Sequence, residues 1–206
     1  MSGPLALTRA ELAAHTVAVL SRGGGRNPDV VLVELGARRI VVKDFAPRSR
    51  WVRATLGRWI TSREIRAYRA LAGLACTPRY LGRVDALAFA VEYRPGRRMS
   101  RRLAGELAPG FAARLEDAVA ALHARGVVHL DLRHRSNVLV DERGEPVLID
   151  FASAICLQPG GWLGRALLRR LARIDRLAVA KWRQRLTTAG ASLAASDARR
   201  GASRPT

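Results

Sequence analysis

Acidic residues, lysine, cysteine and long apolar runs are all scarce in this 206-residue chain, and each shortage narrows what the chain can be. Seventeen Asp and Glu stand against 36 Lys and Arg, a formal net charge of +19, which points to an anionic partner: nucleic acid, a phospholipid surface or a phosphorylated glycolipid. The two cysteines, Cys76 and Cys156, have no CxxC spacing and no nearby His pair. Neither a zinc site nor a disulfide framework is expected, and a reducing, cytoplasmic setting fits. No stretch approaches the ~18 apolar residues of a spanning helix, and Arg9 and Glu11 interrupt the start where a secretory signal needs an apolar run. The expectation is a chain that is neither exported nor membrane-spanning. Lysine is the scarcest basic residue: only Lys43 and Lys181 are present, leaving 34 arginines among the 36. Where arginine dominates, a retained lysine marks a need for a compact, flexible ammonium instead of a planar fork.

What is present is a hydrophobic content of 49%, enough for one sizeable domain or a small two-lobed one. Thr8 with Glu11 three residues on predicts a capped helix over 8–14. The β-rich runs "TVAVL", "VVLVEL" and "RRIVVKDF" follow, the first pair separated by "SRGGGRNPD" and the second by "GA", which reads as an antiparallel meander. Residues 49–74 have helical character, with Trp51, Leu56, Trp59 and Ile60 among arginines. "RYLGRV" and "LAFAVEY" are two more strands, and "RPGRR" ends the pattern. A five-stranded antiparallel sheet carrying one helix accounts for these residues.

The rest of the chain is mostly helical. Phe111, Leu115, Val119 and Leu122 form an apolar stripe that stops at Gly126. A loop, the strand "NVLV", the turn "DERGEP" and the strand "VLID" come next, a hairpin by its turn chemistry. Residues 163–186 return to helix, and from Thr187 the small, polar composition predicts a disordered tail. The organisation is therefore an N-terminal helical extension (1–15), a strand-rich lobe (16–94), a helical lobe (95–186) and a tail (187–206).

Asp131 and Asp150 lie beside apolar runs, where a lone carboxylate is costly to desolvate, so each needs a partner. Lys43 ends a strand, Glu64 lies in the next helix, Asp131 and Asn137 share a loop after a buried helix, and Asp150-Phe151 ends a strand. In this order "HLDLRHRSN" and "LIDFA" resemble the catalytic loop and metal-binding element of the protein-kinase-like superfamily over roughly residues 16–180. The resemblance implies an α+β, reduced bilobal fold: a five-stranded N-lobe sheet with an αC-like helix and a truncated, mostly helical C-lobe. It implies an ATP-dependent kinase in which Asn137 and Asp150 bind Mg²⁺ and Asp131 orients or takes the acceptor proton. Lys43 would touch the phosphates and pair with Glu64. Gly23, Gly24 and Gly25 would approach phosphate through their backbone, and the backbone of Glu92, Tyr93 and Arg94 would meet the adenine. Asp175 would brace the catalytic loop.

Three departures accompany the match. Five residues separate Asp131 from Asn137 where the kinase loop has four, the glycine turn lacks a full G-x-G-x-x-G, and "DFA" stands in place of DFG. With 56 residues after Asp150, the C-lobe is more similar to that of small atypical kinases, namely RIO-type kinases and the bacterial lipopolysaccharide core kinases acting on Kdo or heptose. "GRWITSREIRAYRALAGL" followed by "TPRYLG" resembles the latter group. The implied acceptor is a hydroxyl of a lipopolysaccharide core sugar. A RIO-like protein kinase or ATPase with a protein or nucleic-acid partner, and a scaffold without turnover, stay open as alternatives. Eight basic residues between Arg165 and Arg185 face the single acid Asp175, and with Trp162 and Trp182 this amphipathic segment, together with the Trp51/Trp59 segment, suits docking on an anionic membrane surface.

Overall fold

Thr8 forms the expected capping box: its hydroxyl oxygen accepts the Glu11 N–H at 3.2 Å, and the Glu11 carboxylate accepts the Thr8 N–H at 2.9 Å. Helix α1 (Arg9–His15) starts there and buries Leu12. The computed structural model describes residues 5–100, 103, 106–107, 110–157 and 161–201, with the helix path alone over 188–201. By its contacts the chain forms two units, one reaching to Arg94 and including Asp150–Cys156, the other made of Pro95–Ile149 and the chain from Leu157. The sequence reading places the boundary at the same residue but assigns 150–156 to the helical lobe. Asp150 and Phe151 bond to side chains of the first unit, which explains the difference.

The first unit is built on a five-stranded antiparallel sheet of β1 (Thr16–Ser21), β2 (Asp29–Leu35), β3 (Arg38–Asp44), β4 (Tyr80–Arg83) and β5 (Ala88–Glu92), in the order β1-β2-β3-β5-β4. Alternation along the strands decides what each face carries. Val33, Ile40, Val42, Ala88 and Ala90 pack with Leu7 and Leu12 in one apolar cluster. The intervening Lys43 and its cross-strand neighbour Phe89 therefore take the opposite face, where Phe89 meets Tyr68 at 6.2 Å between ring centroids. A slip of one residue would turn the Lys43 ammonium into the apolar cluster, so burial pins the register.

The helix expected over 49–74 forms, with one irregularity. α2 (Arg50–Val52) passes through a π turn (Arg53–Gly57) into α3 (Arg58–Ala70). Ser49 caps its start. Gly57 is buried so closely that a Cβ there would sit 3.1 Å from the Cβ of Phe45. Thr61, Glu64, Ile65, Ala67 and Tyr68 form the buried face of α3.

In the second unit, β6 (Arg97–Arg98) precedes α4 (Phe111–Ala124), β7 (Val127–Val128) and the hairpin of β8 (Val138–Val140) and β9 (Pro146–Leu148). β6, β8 and β9 form one sheet, with Val138 opposite Leu148. The hairpin turn is held by the Asp141 carboxylate, which accepts the Arg143 and Glu145 N–H groups at 2.9 and 2.8 Å. α4 buries Phe111, Leu115, Val119 and Leu122, as its periodicity predicts, each contributing about 1.5–3 kcal/mol of apolar burial. α5 (Gly161–Gly201) packs on α4 and buries Ala172, Asp175, Ala178, Val179 and Trp182.

α5 covers part of the stretch for which a disordered tail from Thr187 is expected. The helix runs on to Gly201, and the Thr187 hydroxyl donates to the Arg183 carbonyl at 2.9 Å. Ala189, Ala191, Ala194, Ala195 and Ala198 are strong helix formers, and their propensity outweighs the Ser and Thr between them. Residues 202–206 of that expected tail lie outside the described residues. Among the described residues, no helix is long and apolar enough to cross a membrane.

Candidate functional site

In the first unit the chain brings together Lys43, Glu64 and Asp150. β3 delivers the lysine, the buried face of α3 delivers the glutamate, and the turn after β9 delivers the aspartate. Lys43 Nζ donates to Glu64 Oε1 at 2.5 Å and to Asp150 Oδ1 at 2.7 Å. Glu64 is fully buried and Lys43 nearly so, while the Asp150 side chain is 46% exposed. Burial works against the ammonium, yet the charges of Glu64 and then Asp150 outweigh it and hold the Lys43 pKa above the ordinary lysine value. The triad is a fixed cation with two anionic neighbours, one sealed and one open to ligands.

The backbone around Asp150 is held from several directions. Glu64 Oε1 also accepts the Phe151 N–H at 3.1 Å. The Phe151 ring stands edge-on to Tyr68 at 5.0 Å, and the Arg63 guanidinium donates to the Ala154 carbonyl at 2.8 Å and to that of Ser153. Asp150 itself adopts φ 66, a left-handed conformation that Asp tolerates better than most residues. Arg63 was not singled out by sequence reading, because nothing local distinguishes it from the other arginines of its helix.

In the second unit, Asp131 and Asn137 meet. The extra residue in their loop is absorbed by a 3₁₀ turn over Arg135–Asn137. As a result Asn137 Nδ2 donates both to the Asp131 carbonyl at 3.0 Å and to its carboxylate at 2.9 Å. Asn137 is buried, its Oδ1 accepts from the Ser136 hydroxyl at 3.1 Å, and its carbonyl accepts the Ile149 N–H at 3.0 Å. Asp131 is partly exposed.

Asp175 organises the chain just before Asp131. Completely buried, its carboxylate accepts the N–H groups of His129 and Leu130, each at 2.8 Å, and His123 Nε2 at 3.0 Å. His129 is neutral by its bonding pattern: Nε2 lies 3.1 Å from the Ile149 carbonyl and so donates, while Nδ1 accepts the Asp131 N–H at 3.4 Å. The sequence singled out His129 and Asp175. It missed His123, whose partner lies 52 residues away.

The glycine turn between β1 and β2 divides into two parts. Gly23 is structural: its N–H donates to Asp29 Oδ1 at 2.9 Å, its carbonyl accepts from Arg48, and Arg48 pairs with Asp29. A Cβ on Gly23 would lie 2.2 Å from the Asn27 carbonyl oxygen. Gly24 and Gly25 are open, with nothing within 4 Å of a Cβ position, and Gly25 has φ 54. At the far end of β5, the Glu92 N–H donates to the Arg79 carbonyl at 2.9 Å and the Tyr93 N–H to that of Arg39 at 3.4 Å. The Glu92 carboxylate accepts from the Arg79 backbone N–H and Nε. Arg94 closes the first unit.

For metal binding, the donor types are the relevant observation. Asn137 and Asp150 carry hard oxygens, the ligand class of Mg²⁺, which takes one or two protein oxygens and completes its shell with water and phosphate. Among the described residues, no group of three His, Cys, Asp or Glu side chains is placed to hold a metal, so such an ion would depend on non-protein oxygens for most of its shell.

No family model matches the chain. A curated protein of Streptomyces coelicolor, named Probable SapB synthase, is similar in part: 38% identity over an alignment that takes in 45% of this chain. The aligned stretch amounts to 12% of that protein's length.

Proposed function

We propose that the protein is an ATP- and Mg²⁺-dependent phosphotransferase of reduced bilobal, protein-kinase-like fold. The observation that carries this reading is the bonding of Lys43 to both Glu64 and Asp150. A strand-borne ammonium aimed by a buried carboxylate is suited to hold the phosphates of a nucleotide, and the partly exposed Asp150 to hold their metal. Asp131, oriented by Asn137, has the position in its loop and the exposure of a proton acceptor.

In the reaction, the acceptor oxygen bonds to the γ-phosphorus, the bond from that phosphorus to the bridging oxygen breaks, and ADP departs. The hydroxyl proton passes to Asp131. Mg²⁺, for which Asp150 and Asn137 each offer a hard oxygen in their own unit, would neutralise the charge on the phosphate oxygens. The acceptor in this reading is a hydroxyl of an anionic glycolipid such as a lipopolysaccharide core sugar. Its support is the face of α5, where Trp162, Leu163, Leu167, Ile174 and Leu177 are exposed among Arg165, Arg169, Arg170, Arg173 and Arg176. Apolar side chains interleaved with arginine suit an anionic bilayer surface.

Melting temperature with ATP or ADP, with and without Mg²⁺, tests the reading, since a bound ligand raises stability by mass action. A Mg²⁺-dependent rise and phosphate transfer to core glycolipid, both lost in Asp150→Ala, are the expected results. Transfer alone should be lost in Asp131→Ala. Unchanged melting with either nucleotide would remove the reading. A scaffold that holds a partner without turnover is favoured by one observation: the Glu92 and Tyr93 N–H groups, which the adenine would meet, already donate to the Arg79 and Arg39 carbonyls. It would show neither the melting shift nor transfer.

A further inference from the structure

The start of the long helix of the first unit carries a cluster of arginines that the proposed reaction does not use. Arg50, Arg53 and Arg58 line a cavity of about 360 Å³, together with Ala54 and the Asp85–Leu87 loop between β4 and β5. Its size falls within the usual range of small-ligand sites, ~300–1,000 Å³. All three arginines are exposed, and among the described residues none of their guanidinium groups has a side-chain partner. Most other basic side chains of this unit that approach an acid are committed, as Arg9, Arg39, Arg48 and Arg79 show.

The π turn explains why the three share one cavity. Arg53 and Arg58 are five residues apart, a spacing that a regular α-helix of 3.6 residues per turn sends to different sides. A π turn, bonded from i to i+5, stacks that spacing instead. The irregularity is fixed by packing, since Gly57 is pressed against Phe45.

One acid lies on the wall, Asp85, and it shares the Arg9 guanidinium with Asp44. Asp85 Oδ2 accepts from Arg9 Nε at 2.7 Å, and Oδ1 accepts the Leu87 and Ala88 N–H groups at 2.7 and 3.0 Å. Three guanidinium groups thus face one carboxylate that is already bonded, and the cavity wall is net positive. Guanidinium forks match the oxygens of phosphate in geometry and charge.

We propose that this cavity is a phosphate-binding site, in which Arg50, Arg53 and Arg58 grip the oxygens of a phosphate-bearing ligand. None of Lys43, Glu64, Asp131, Asn137 and Asp150 lines it, so the site does not depend on the phosphotransfer reading. The phosphate belongs to a soluble ion or ester, or to a lipid headgroup at a bilayer surface. The exposed Trp51 and Trp59 of the same helical segment, 62% and 56% accessible, are of the type found at such surfaces.

Two probes separate the sources: orthophosphate, followed by calorimetric titration at fixed ionic strength, and vesicles of phosphatidylcholine with or without phosphatidic acid, followed by cosedimentation. The full chain is expected to bind at least one of them. The triple variant R50Q/R53Q/R58Q should lose about tenfold or more in affinity, the loss of charge-assisted bonds. The triple Arg→Lys variant should fall between the two, because it keeps charge without the fork. R165Q/R169Q/R173Q, which removes as much charge from α5, should leave orthophosphate binding unchanged. Circular dichroism confirms folding, and the exposed positions spare the core. Binding of orthophosphate assigns a soluble ligand; binding of phosphatidic acid vesicles alone, weakened in R50Q/R53Q/R58Q, assigns a headgroup. Failure of the wild-type chain to bind either probe, or equal affinity in R50Q/R53Q/R58Q, overturns the proposal.

Discussion

Asp175 holds Leu130: its Oδ1 accepts the Leu130 N–H at 2.8 Å, while Leu130 is kept at φ 66. A leucine does not adopt this conformation without cost, about 1–2 kcal/mol, so the carboxylate offsets what the backbone resists. Asp175→Ala leaves one buried and one part-buried N–H group, and His123, without their acceptor. A loss of about 3 kcal/mol or more in unfolding free energy is expected, read by urea denaturation. Asp175→Asn, which keeps one acceptor oxygen, should lose less.

Lys43 makes stability depend on alkaline pH. Its folded pKa is raised by Glu64 and Asp150 against the opposing effect of burial. The stabilisation is therefore complete below the pKa of an unfolded lysine, about 10.4, and is lost as pH rises from there through the folded pKa. Lys43→Met strands two carboxylates and should cost about 3–5 kcal/mol near neutral pH. The gap between wild type and variant should stay constant to about pH 10 and narrow above it. A constant gap through that window would show that the ammonium gains nothing from its neighbours.

Gly23 and Gly24 are adjacent yet should respond differently to alanine. A Cβ at Gly23 meets the Asn27 and Pro28 carbonyl oxygens at 2.2 and 2.3 Å, whereas one at Gly24 meets nothing within 4 Å. Gly23→Ala is expected to lower stability by about 1–3 kcal/mol through overpacking, and Gly24→Ala to stay within about 0.5 kcal/mol. Thermal melts of the two variants decide it. Equal melting temperatures would mean the turn is not tied to Asp29 and Arg48 as described.

The exposed leucines of α5 give a test of membrane contact that leaves the core intact. Leu163, Leu167 and Leu177 are 65%, 46% and 61% accessible. Replacing all three by serine should change stability by about 0.5 kcal/mol or less per site. Partition onto vesicles rich in phosphatidylglycerol should fall more than about tenfold, because even partial burial of a leucine contributes on the order of 1 kcal/mol. Undiminished partition would remove α5 from the membrane reading.

Strand alternation, turn chemistry and the stripe of α4 were legible because each is local. The hairpin of β8 and β9 follows from "DERGEP", and Lys43 faces α3 because Val42 and Ile40 must face Leu12. Asn137 looked displaced when spacing alone was counted; a 3₁₀ turn repays the extra residue, and no pattern of one sequence announces such a turn. The π turn was hidden for a similar reason, since it depends on how Gly57 packs against Phe45. The bonds of His123, Arg48 and Arg63 join residues far apart in the chain, and arginine is too common here for any one of them to stand out.

Among the described residues, Leu130 and Asp150 are the non-glycine positions with positive φ, and each lies at or directly before a motif aspartate. Glycine at either position would relax the backbone at once. That the chain places a branched aliphatic and an acid there means the tightest corners of its path were shaped by where a carboxylate must end up, with durability left below what a more permissive sequence would reach.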